Sequence, residues 1–260
     1  MNFRFILFVL FTFEICSCSG NPNNTDTSVN SALVKQPNPA YSADYLLGKF
    51  NQKTDTMFGA IPIKYCSKEG MYLRKETISA FVKMYEAAKK EGVSLKIISA
   101  TRNFNEQKSI WDAKWNGSRL VNGKNLSQTI KDPVERARTI LRYSSMPGTS
   151  RHHWGTDMDL NSLENSYFTT AEGKKVYDWL KNNAVTYGFC QPYSLKSESR
   201  PNGYEEEKWH WSYMPLSSVL LKEYSGKIKS ESISGFTGSE TATKLNIIEL
   251  YVKGINPECR

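Results

Sequence analysis

The three histidines of this chain are confined to two short segments. His152 and His153 lie in Ser150–Leu160, which reads SRHHWGTDMDL, and His210 ends Glu207–His210, which reads EKWH. Histidines and carboxylates in this combination are typical of an open zinc site, in which three protein ligands leave one position for water and a further carboxylate accepts its proton. A chain that uses both segments in one site must fold so that they lie side by side.

The composition is that of a globular protein with a basic surface. Of 260 residues, 39% are hydrophobic and 12% are aromatic, which is enough to bury one core, and the sequence has no internal repeat. The formal net charge of +8 would suit an anionic partner, but the basic residues are scattered and form no arginine-rich run or nucleic-acid motif. We therefore expect a solvated basic surface rather than a nucleic-acid site.

The first residues have the pattern of an export signal. Asn2–Arg4 supplies a positive charge, and Phe5–Phe13 is an apolar run too short to span a bilayer as a mature helix. The segment Ile15–Cys18, ICSC, resembles the lipobox of bacterial lipoproteins, in which the last cysteine is acylated after cleavage. We predict a lipoprotein signal peptide over residues 1–17 and a lipid-bearing Cys18; an ordinary signal peptide cleaved nearby is the alternative.

The segment that follows the predicted signal peptide contains few apolar residues. Residues 18–40 are rich in Asn, Pro, Ser and Thr, which predicts a flexible tether. We predict one globular domain over residues 41–260. These segments together predict an exported bacterial lipoprotein of the periplasm or cell envelope, which contacts the membrane through its lipid.

Helical and strand patterns alternate irregularly through the globular part. Apolar positions at helical spacing predict helices over Arg74–Glu91, Asn105–Trp115, a segment that begins at Asp132, Thr170–Tyr187, Pro215–Tyr224 and Ser239–Val252. Short apolar runs predict strands over Leu95–Ala100, Thr156–Asn161, Phe189–Tyr193 and Lys208–Tyr213. Because no βα unit repeats, this order favours the α+β class, with a small antiparallel sheet surrounded by helices.

Three sequence blocks resemble one peptidase family. They are Ser99-x-x-Arg102 with Gln107, then Ser150-x-His152-x-x-Gly155-x-x-x-Asp159, and finally Glu207-x-Trp209-His210. In order and spacing, these blocks resemble the zinc D-alanyl-D-alanine carboxypeptidases of the VanY type, which are LAS-type metallopeptidases. The resemblance extends from about Tyr41 to Pro215 and implies a single catalytic domain of that fold.

The predicted zinc ligands are His152, Asp159 and His210, which would hold one Zn²⁺. His152 is expected in a loop and Asp159 on the following strand, with Gly155 allowing the turn between them. His210 is expected on a neighbouring strand. Glu207 is expected to accept a proton from water and to pass it to the leaving amine.

Arg102 is predicted to contact the substrate. Its guanidinium group matches either the oxyanion of the transition state or a free terminal carboxylate. The resemblance implies that Arg102, Gln107 and Ser150 line the pocket for the terminal residue. The alternative is that Arg102 caps the helix after it or pairs with a surface acid.

The chain departs from the family pattern at two positions. The family usually has alanine where Asp157 stands and proline where Lys208 stands. Strand geometry predicts that Asp157 shares a face with Asp159, where it either orients a ligating histidine or faces solvent. Trp209 and Trp211 flank His210 and are expected on the opposite face, in the core rather than as substrate platforms.

The remaining polar candidates carry weaker signals. His153 neighbours a predicted ligand, but adjacent residues of an extended segment usually point in different directions. Cys66, Cys190 and Cys259 lack zinc-finger spacing, and in an exported protein two of them are expected to form a disulfide, with the pairing open.

The predicted function is that of a zinc-dependent carboxypeptidase. By resemblance, it removes the C-terminal D-amino acid, D-alanine in the family, from peptidoglycan stem peptides. D,D- and L,D-carboxypeptidase specificities both remain open. The alternatives are a peptidoglycan amide endopeptidase of the same fold and a non-catalytic wall-binding lipoprotein. The sequence indicates no obligate protein partner.

Overall fold

The structure, a computed structural model, describes residues 41–260 of the chain. The signal peptide predicted over residues 1–17, the acylated Cys18 and the tether predicted over residues 18–40 lie outside the described residues. Among the helices of residues 41–260, none combines the length and the apolar character needed to cross a membrane.

Short helices and strands alternate along the described residues. The α-helices are α1 (Ala43–Leu46), α2 (Lys75–Lys90), α3 (Phe104–Asn116), α4 (Leu126–Thr129), α5 (Pro133–Ile140), α6 (Ala171–Asn183), α7 (Met214–Lys227) and α8 (Thr241–Lys244). The strands are β1 (Phe58–Ala60), β2 (Tyr72–Arg74), β3 (Ile97–Ser99), β4 (Asp157–Leu160), β5 (Phe189–Cys190) and β6 (His210–Tyr213). Single helical turns lie at Ile63–Tyr65, Arg151–Trp154, Tyr167–Thr169, Ala184–Tyr187, Ser230–Ser232, Ile248–Val252 and Pro257–Cys259.

An antiparallel sheet of four strands brings the two histidine segments together. Its strand order is β3-β4-β6-β5, and β1 pairs separately with β2. In this register, Asp159 of β4 lies opposite Ser99 of β3 on one side and opposite His210 of β6 on the other. The predicted α+β class, with a small antiparallel sheet and surrounding helices, is confirmed.

The central strand β4 buries both of its faces. Met158 and Leu160 alternate with Asp157 and Asp159, and all four side chains are buried. The two apolar residues join a core formed with α2 and α6, whereas α3, α5, α7 and the C-terminal residues enclose a second core. Because successive strand side chains point to opposite faces, the two aspartates are directed away from Met158 and Leu160.

Two predicted elements end early at identifiable residues. The helix predicted over Ser239–Val252 is interrupted at Asn246, whose φ of 44° is left-handed and ends α8. The strand predicted over Phe189–Tyr193 is reduced to β5, because Pro192 has no N–H to donate to a neighbouring strand. The apolar pattern identifies both segments but not where their regular backbone ends.

A disulfide fixes the C-terminal residues to the sheet. Cys190 at the end of β5 is bonded to Cys259, which lies 69 residues further along the chain. The backbone N–H of Asn256 donates to the carbonyl of Pro192 at 2.8 Å, and so reinforces the same junction. Cys66 is a buried free thiol. The pairing that the sequence leaves open is therefore Cys190 with Cys259.

Candidate active site

His152, Asp159 and His210 form one buried group. His152 lies on the helical turn Arg151–Trp154, Asp159 on β4 and His210 at the start of β6. One nitrogen from each histidine and one carboxylate oxygen all lie within 4.8 Å of one another. The loop expected at His152 is a helical turn, whereas both strand positions agree with the expectation.

Gly155 allows the chain to turn from His152 into β4. Its φ of 69° lies in the left-handed region, which glycine adopts without steric penalty. A Cβ atom at this position would come within 2.3 Å of Cε1 of Phe58, so the packing also excludes a side chain. Glycine is therefore required both for the backbone conformation and for the space.

Hydrogen bonds orient both imidazole rings toward Asp159. His152 Nδ1 lies 2.8 Å from the carbonyl oxygen of Ala100, which leaves Nε2 facing Asp159. His210 Nε2 lies 2.9 Å from Oδ2 of Asp157, which leaves Nδ1 facing Asp159. In a neutral imidazole, donation from one ring nitrogen leaves the lone pair on the other, which is the arrangement that metal-binding histidines use.

These three donors fit a zinc ion. Oδ1 of Asp159 is buried and has no hydrogen-bond partner among the described residues, although His152 Nε2 lies 3.4 Å and His210 Nδ1 3.2 Å away. Burial lowers the pKa of His152, which favours its neutral, metal-binding form. Two imidazole nitrogens and one carboxylate oxygen are a zinc ligand set that keeps one coordination position open.

Asp157 is completely buried, so it does not face solvent. Besides His210, its carboxylate contacts Arg151 Nε at 2.9 Å, Thr156 Oγ1 at 2.6 Å and Ser212 Oγ at 2.9 Å. Burial opposes the charged form, but Arg151 and His210 hold the pKa of this carboxyl below its usual range. Asp157 is thus an ionised acceptor beside a predicted zinc ligand, at a position where the resembling family usually has alanine.

Glu207 lies beside the three donors. Its Oε2 is 3.2 Å from His210 Nδ1, and its side chain is only 7% exposed. Burial raises the pKa of this carboxyl. Gln191 Nε2 donates to the Glu207 carbonyl at 3.1 Å, which fixes the backbone that carries it. A carboxyl with a raised pKa at this position is suited to general acid–base chemistry.

Arg102 faces the same group rather than a surface acid. Its Nη1 donates to Ser99 Oγ at 2.5 Å and lies 3.7 Å from Asp159 Oδ2. Its Nε donates to Gln107 Oε1 at 3.0 Å. The cap of α3 is supplied by Asn103, whose side chain accepts from the backbone of that helix, so Arg102 is not the capping residue.

The other predicted candidates are buried in the structure around the site. Ser150 Oγ is buried and has no hydrogen-bond partner within residues 41–260, and its role stays a prediction. His153 is buried, with Nδ1 2.6 Å from the Arg102 carbonyl and Nε2 accepting from the Gly148 N–H at 3.0 Å. Burial lowers its pKa to about 3, so it is a neutral scaffold residue that positions the Arg102 backbone. Trp209 and Trp211 are buried in the core.

Two further contacts are not indicated by the sequence patterns. The ring of Tyr193 packs against that of His210, with centroids 4.7 Å apart. Lys114 of α3 is half-buried and donates from Nζ to Ser144 Oγ. Lys114 follows Gln107 by about two helical turns on the same face, and this spacing is the signal that would have identified it.

The sequence matches one family. Residues 70–216, more than half of the chain, match the family model VanY, D-alanyl-D-alanine carboxypeptidase. A relative named "Putative carboxypeptidase YodJ", from Bacillus subtilis (strain 168), is 31% identical over 172 residues, which cover 61% of this chain and 55% of the relative. An uncharacterized Haemophilus influenzae protein is 32% identical over 78 residues, covering 29% of this chain and 53% of its own length. The chain thus spans about half the length of these curated relatives.

Solved structures of carboxypeptidases are also similar to this chain. The LdcB LD-carboxypeptidase is 26% identical, with a TM-score of 0.49 over 76% of this chain and 80% of its own. VanYB in complex with D-alanine-D-alanine is 21% identical, with a TM-score of 0.47 over 68% of this chain and 87% of its own. A VanY D,D-pentapeptidase variant in complex with Zn(II) is 23% identical, with a TM-score of 0.45 over 70% of this chain and 93% of its own.

Proposed function

Because this chain belongs to the VanY family of D-alanyl-D-alanine carboxypeptidases, we propose that it is a zinc-dependent carboxypeptidase acting on peptidoglycan stem peptides. The reaction is removal of the C-terminal D-amino acid. One observation carries the proposal: His152, Asp159 and His210 converge within 4.8 Å, and the Glu207 carboxylate lies 3.2 Å from His210. These residues supply both a metal site and a base.

The metal site and Glu207 have different proposed roles in the reaction. A zinc ion held by His152, Asp159 and His210 would supply Lewis-acid chemistry, which polarises a carbonyl and makes water acidic enough to be deprotonated near neutral pH. Glu207 takes the proton of the attacking water and returns it to the leaving amine, and its raised pKa favours the return step. Burial of the site excludes bulk water and strengthens these charge interactions.

Arg102 stabilises the negative charge of the substrate. Ser99 and Gln107 hold its guanidinium group in place, so little reorganisation is needed when the charge develops. Its position 3.7 Å from Asp159 puts it next to the metal ligands, where a reacting carbonyl oxygen would lie. Gln107 and Ser150 belong to the same proposed pocket.

Digestion of defined stem peptides by the zinc-loaded protein tests this function. Substrates that end in D-alanyl-D-alanine and in L-lysyl-D-alanine are incubated separately, and the products are weighed by mass spectrometry. We expect loss of a single C-terminal D-alanine from at least one of them. Cleavage inside the stem peptide would identify an endopeptidase, and binding without hydrolysis would identify a wall-binding protein.

Glu207→Gln is the matched control for this digestion. The substitution keeps the size of the side chain and removes the basic carboxylate. Turnover should fall ~100–10,000-fold, the usual contribution of general acid–base catalysis, while zinc content stays the same. Near-normal turnover would assign the base to another residue. A loss of zinc would instead make Glu207 a metal ligand.

We further propose that the protein is exported and anchored in the cell envelope by a lipid on Cys18. The N-terminal pattern of charge, apolar run and lipobox-like ICSC segment supports this location. The Cys190–Cys259 disulfide also supports it, because disulfides form and persist in oxidising compartments. The proposed substrates lie in the same compartment.

A further inference from the structure

Lys114 is a half-buried cation about two helical turns after Gln107, the residue of α3 that contacts Arg102. It shares a helical face with Gln107 and Trp111, both of which are buried. Its Nζ donates to Ser144 Oγ. An ammonium group has three donors, so two remain for another partner.

Lys114 has no acidic partner in the described part of the chain. None of the ion pairs within residues 41–260 includes it, although Lys108 on the same helix pairs with Asp112. Burial, together with the charges of Arg119 and Arg102, lowers the pKa of Lys114 to about 8, and the charge of Glu207 opposes this shift. A desolvated cation without a counter-ion is unfavourable, and an anion bound from outside would relieve this.

Lys114 and Gln107, which contacts Arg102, both form hydrogen bonds to the segment Ser144–Ser145. Gln107 accepts from Arg102 Nε at 3.0 Å and donates from Nε2 to the Ser145 carbonyl at 2.8 Å. Lys114 reaches Ser144, the residue before it. Arg102 and Lys114 are therefore linked through Gln107 and the segment Ser144–Ser145.

The two cations are placed for different parts of a substrate. Arg102 is held 3.7 Å from Asp159 and so lies next to the predicted metal ligands. Lys114 is not in contact with any of these ligands, but it is close enough to Arg102 and Glu207 for their charges to shift its pKa. A peptide that presents its scissile carbonyl to Arg102 would extend its free terminus toward a second positive group.

We propose that Lys114 binds the C-terminal carboxylate of the substrate and leaves Arg102 for the oxygen of the scissile carbonyl. The inference rests on the proposed carboxypeptidase function and deepens it. Lys114 is a specificity-determining residue, because it distinguishes peptides with a free terminus from those without one. Two free N–H donors on Nζ match the two oxygens of a carboxylate.

Paired substrates test this role. One peptide is prepared with a free C-terminal carboxylate and with a C-terminal amide, and both are assayed with wild type, Lys114→Met, Lys114→Arg and Lys108→Met. Wild type and Lys108→Met should prefer the free acid, on the order of 10–100-fold in kcat/KM, as for a charge-assisted hydrogen bond. Lys114→Met should lose this preference through a higher KM for the acid, so that its kcat/KM values for acid and amide become similar, and Lys114→Arg should restore part of the preference.

A binding measurement separates this inference from the proposed activity. Zinc-loaded Glu207→Gln protein, with and without Lys114→Met, is titrated calorimetrically with the same two peptides. Tighter binding of the acid only when Lys114 is present would support the carboxylate site even if the wild type hydrolyses neither peptide. Equal acid preference with and without Lys114, in either assay, would overturn the inference.

Discussion

Oδ2 of Asp157 lies 2.9 Å from Nε2 of His210, and this contact turns Nδ1 of the same ring toward Asp159 and Glu207. The carboxylate therefore selects both the ring orientation and the tautomer of a predicted zinc ligand. Arg151 Nε, 2.9 Å from the same oxygen, compensates its buried charge. Asp157 and Arg151 form a buried ion pair next to the predicted metal ligands. The family pattern has an uncharged alanine at position 157.

Replacing Asp157 with alanine should weaken both zinc binding and the fold. Loss of a hydrogen-bond partner of a metal ligand typically lowers metal affinity ~10–100-fold. Leaving Arg151 buried and unpaired should lower the free energy of unfolding by ~3–5 kcal/mol. Zinc affinity is measured by competition with a chelator, and stability by urea unfolding of the zinc-free protein.

The double substitution Asp157→Ala, Arg151→Met separates these two effects. It removes the orphan charge, so most of the stability should return. Zinc affinity should stay low, because His210 still lacks its partner. If Asp157→Ala keeps wild-type zinc affinity, the carboxylate serves only to neutralise Arg151.

Each predicted ligand should be necessary for zinc. His152→Ala, Asp159→Ala and His210→Ala should each lose most of the single zinc expected in the wild type, because a site with three protein ligands tolerates loss of one poorly. Metal content per chain is measured after gel filtration. His153→Ala is the comparison and should keep its zinc, since both of its ring nitrogens contact backbone groups. A variant with full zinc occupancy would exclude that residue from the ligand set.

The pKa of Lys114, lowered to about 8 by burial, predicts a pH dependence of substrate affinity. Below pH 8 the free enzyme carries the ammonium charge, and above it the charge is lost. KM for a free-acid peptide should therefore rise above pH 8, by up to ~10-fold per pH unit. The groups that act on Lys114 are Arg119, Arg102 and Glu207.

Two comparisons identify Lys114 as the source of this pH effect. The C-terminal amide of the same peptide should show no such rise in KM. Lys114→Arg should shift the rise beyond the measured range, because a guanidinium group stays protonated. The same rise in Lys114→Met with the free-acid peptide would assign the titration to another group.

Acylation of Cys18 should make the protein partition into detergent. The lipid adds an apolar chain, whereas the described helices offer no segment that could cross a membrane. In Triton X-114 extracts of expressing cells, wild type should enter the detergent phase and Cys18→Ser the aqueous phase. A wild-type protein found in the aqueous phase, with a mature N-terminus other than Cys18, would contradict the prediction.

The main features of the site could be predicted because its chemistry is carried by short sequence blocks. His152 and Asp159 lie close together in the chain, so their approach depends on one turn at Gly155. Only the register of β4 with β6 was needed to bring His210 beside Asp159. Rare residue types at fixed spacing therefore identified these positions, and the antiparallel sheet followed from the alternation of patterns.

Features that depend on tertiary packing could not be predicted in this way. The sequence left two positions open for Asp157, facing solvent or orienting a ligating histidine, because it does not reveal that β4 is buried on both faces. Lys114 lies on a helix where lysine usually faces water, and its contact with Ser144, 30 residues away in the chain, is not visible in the sequence. The disulfide depended on the position of Cys259 relative to β5, which no local pattern encodes.

The Cys190–Cys259 disulfide connects the strand that precedes the Glu207 segment to a residue translated 69 positions later. Gln191, the neighbour of Cys190, supports the backbone of Glu207, and Asn256 holds the carbonyl of Pro192 in the same stretch. Cys259 is translated after Cys190 and Gln191, and an oxidant must then join the two thiols. A nascent or reduced chain lacks this tie. With the proposed export, this tie forms only after the chain has left the reducing compartment in which it is made.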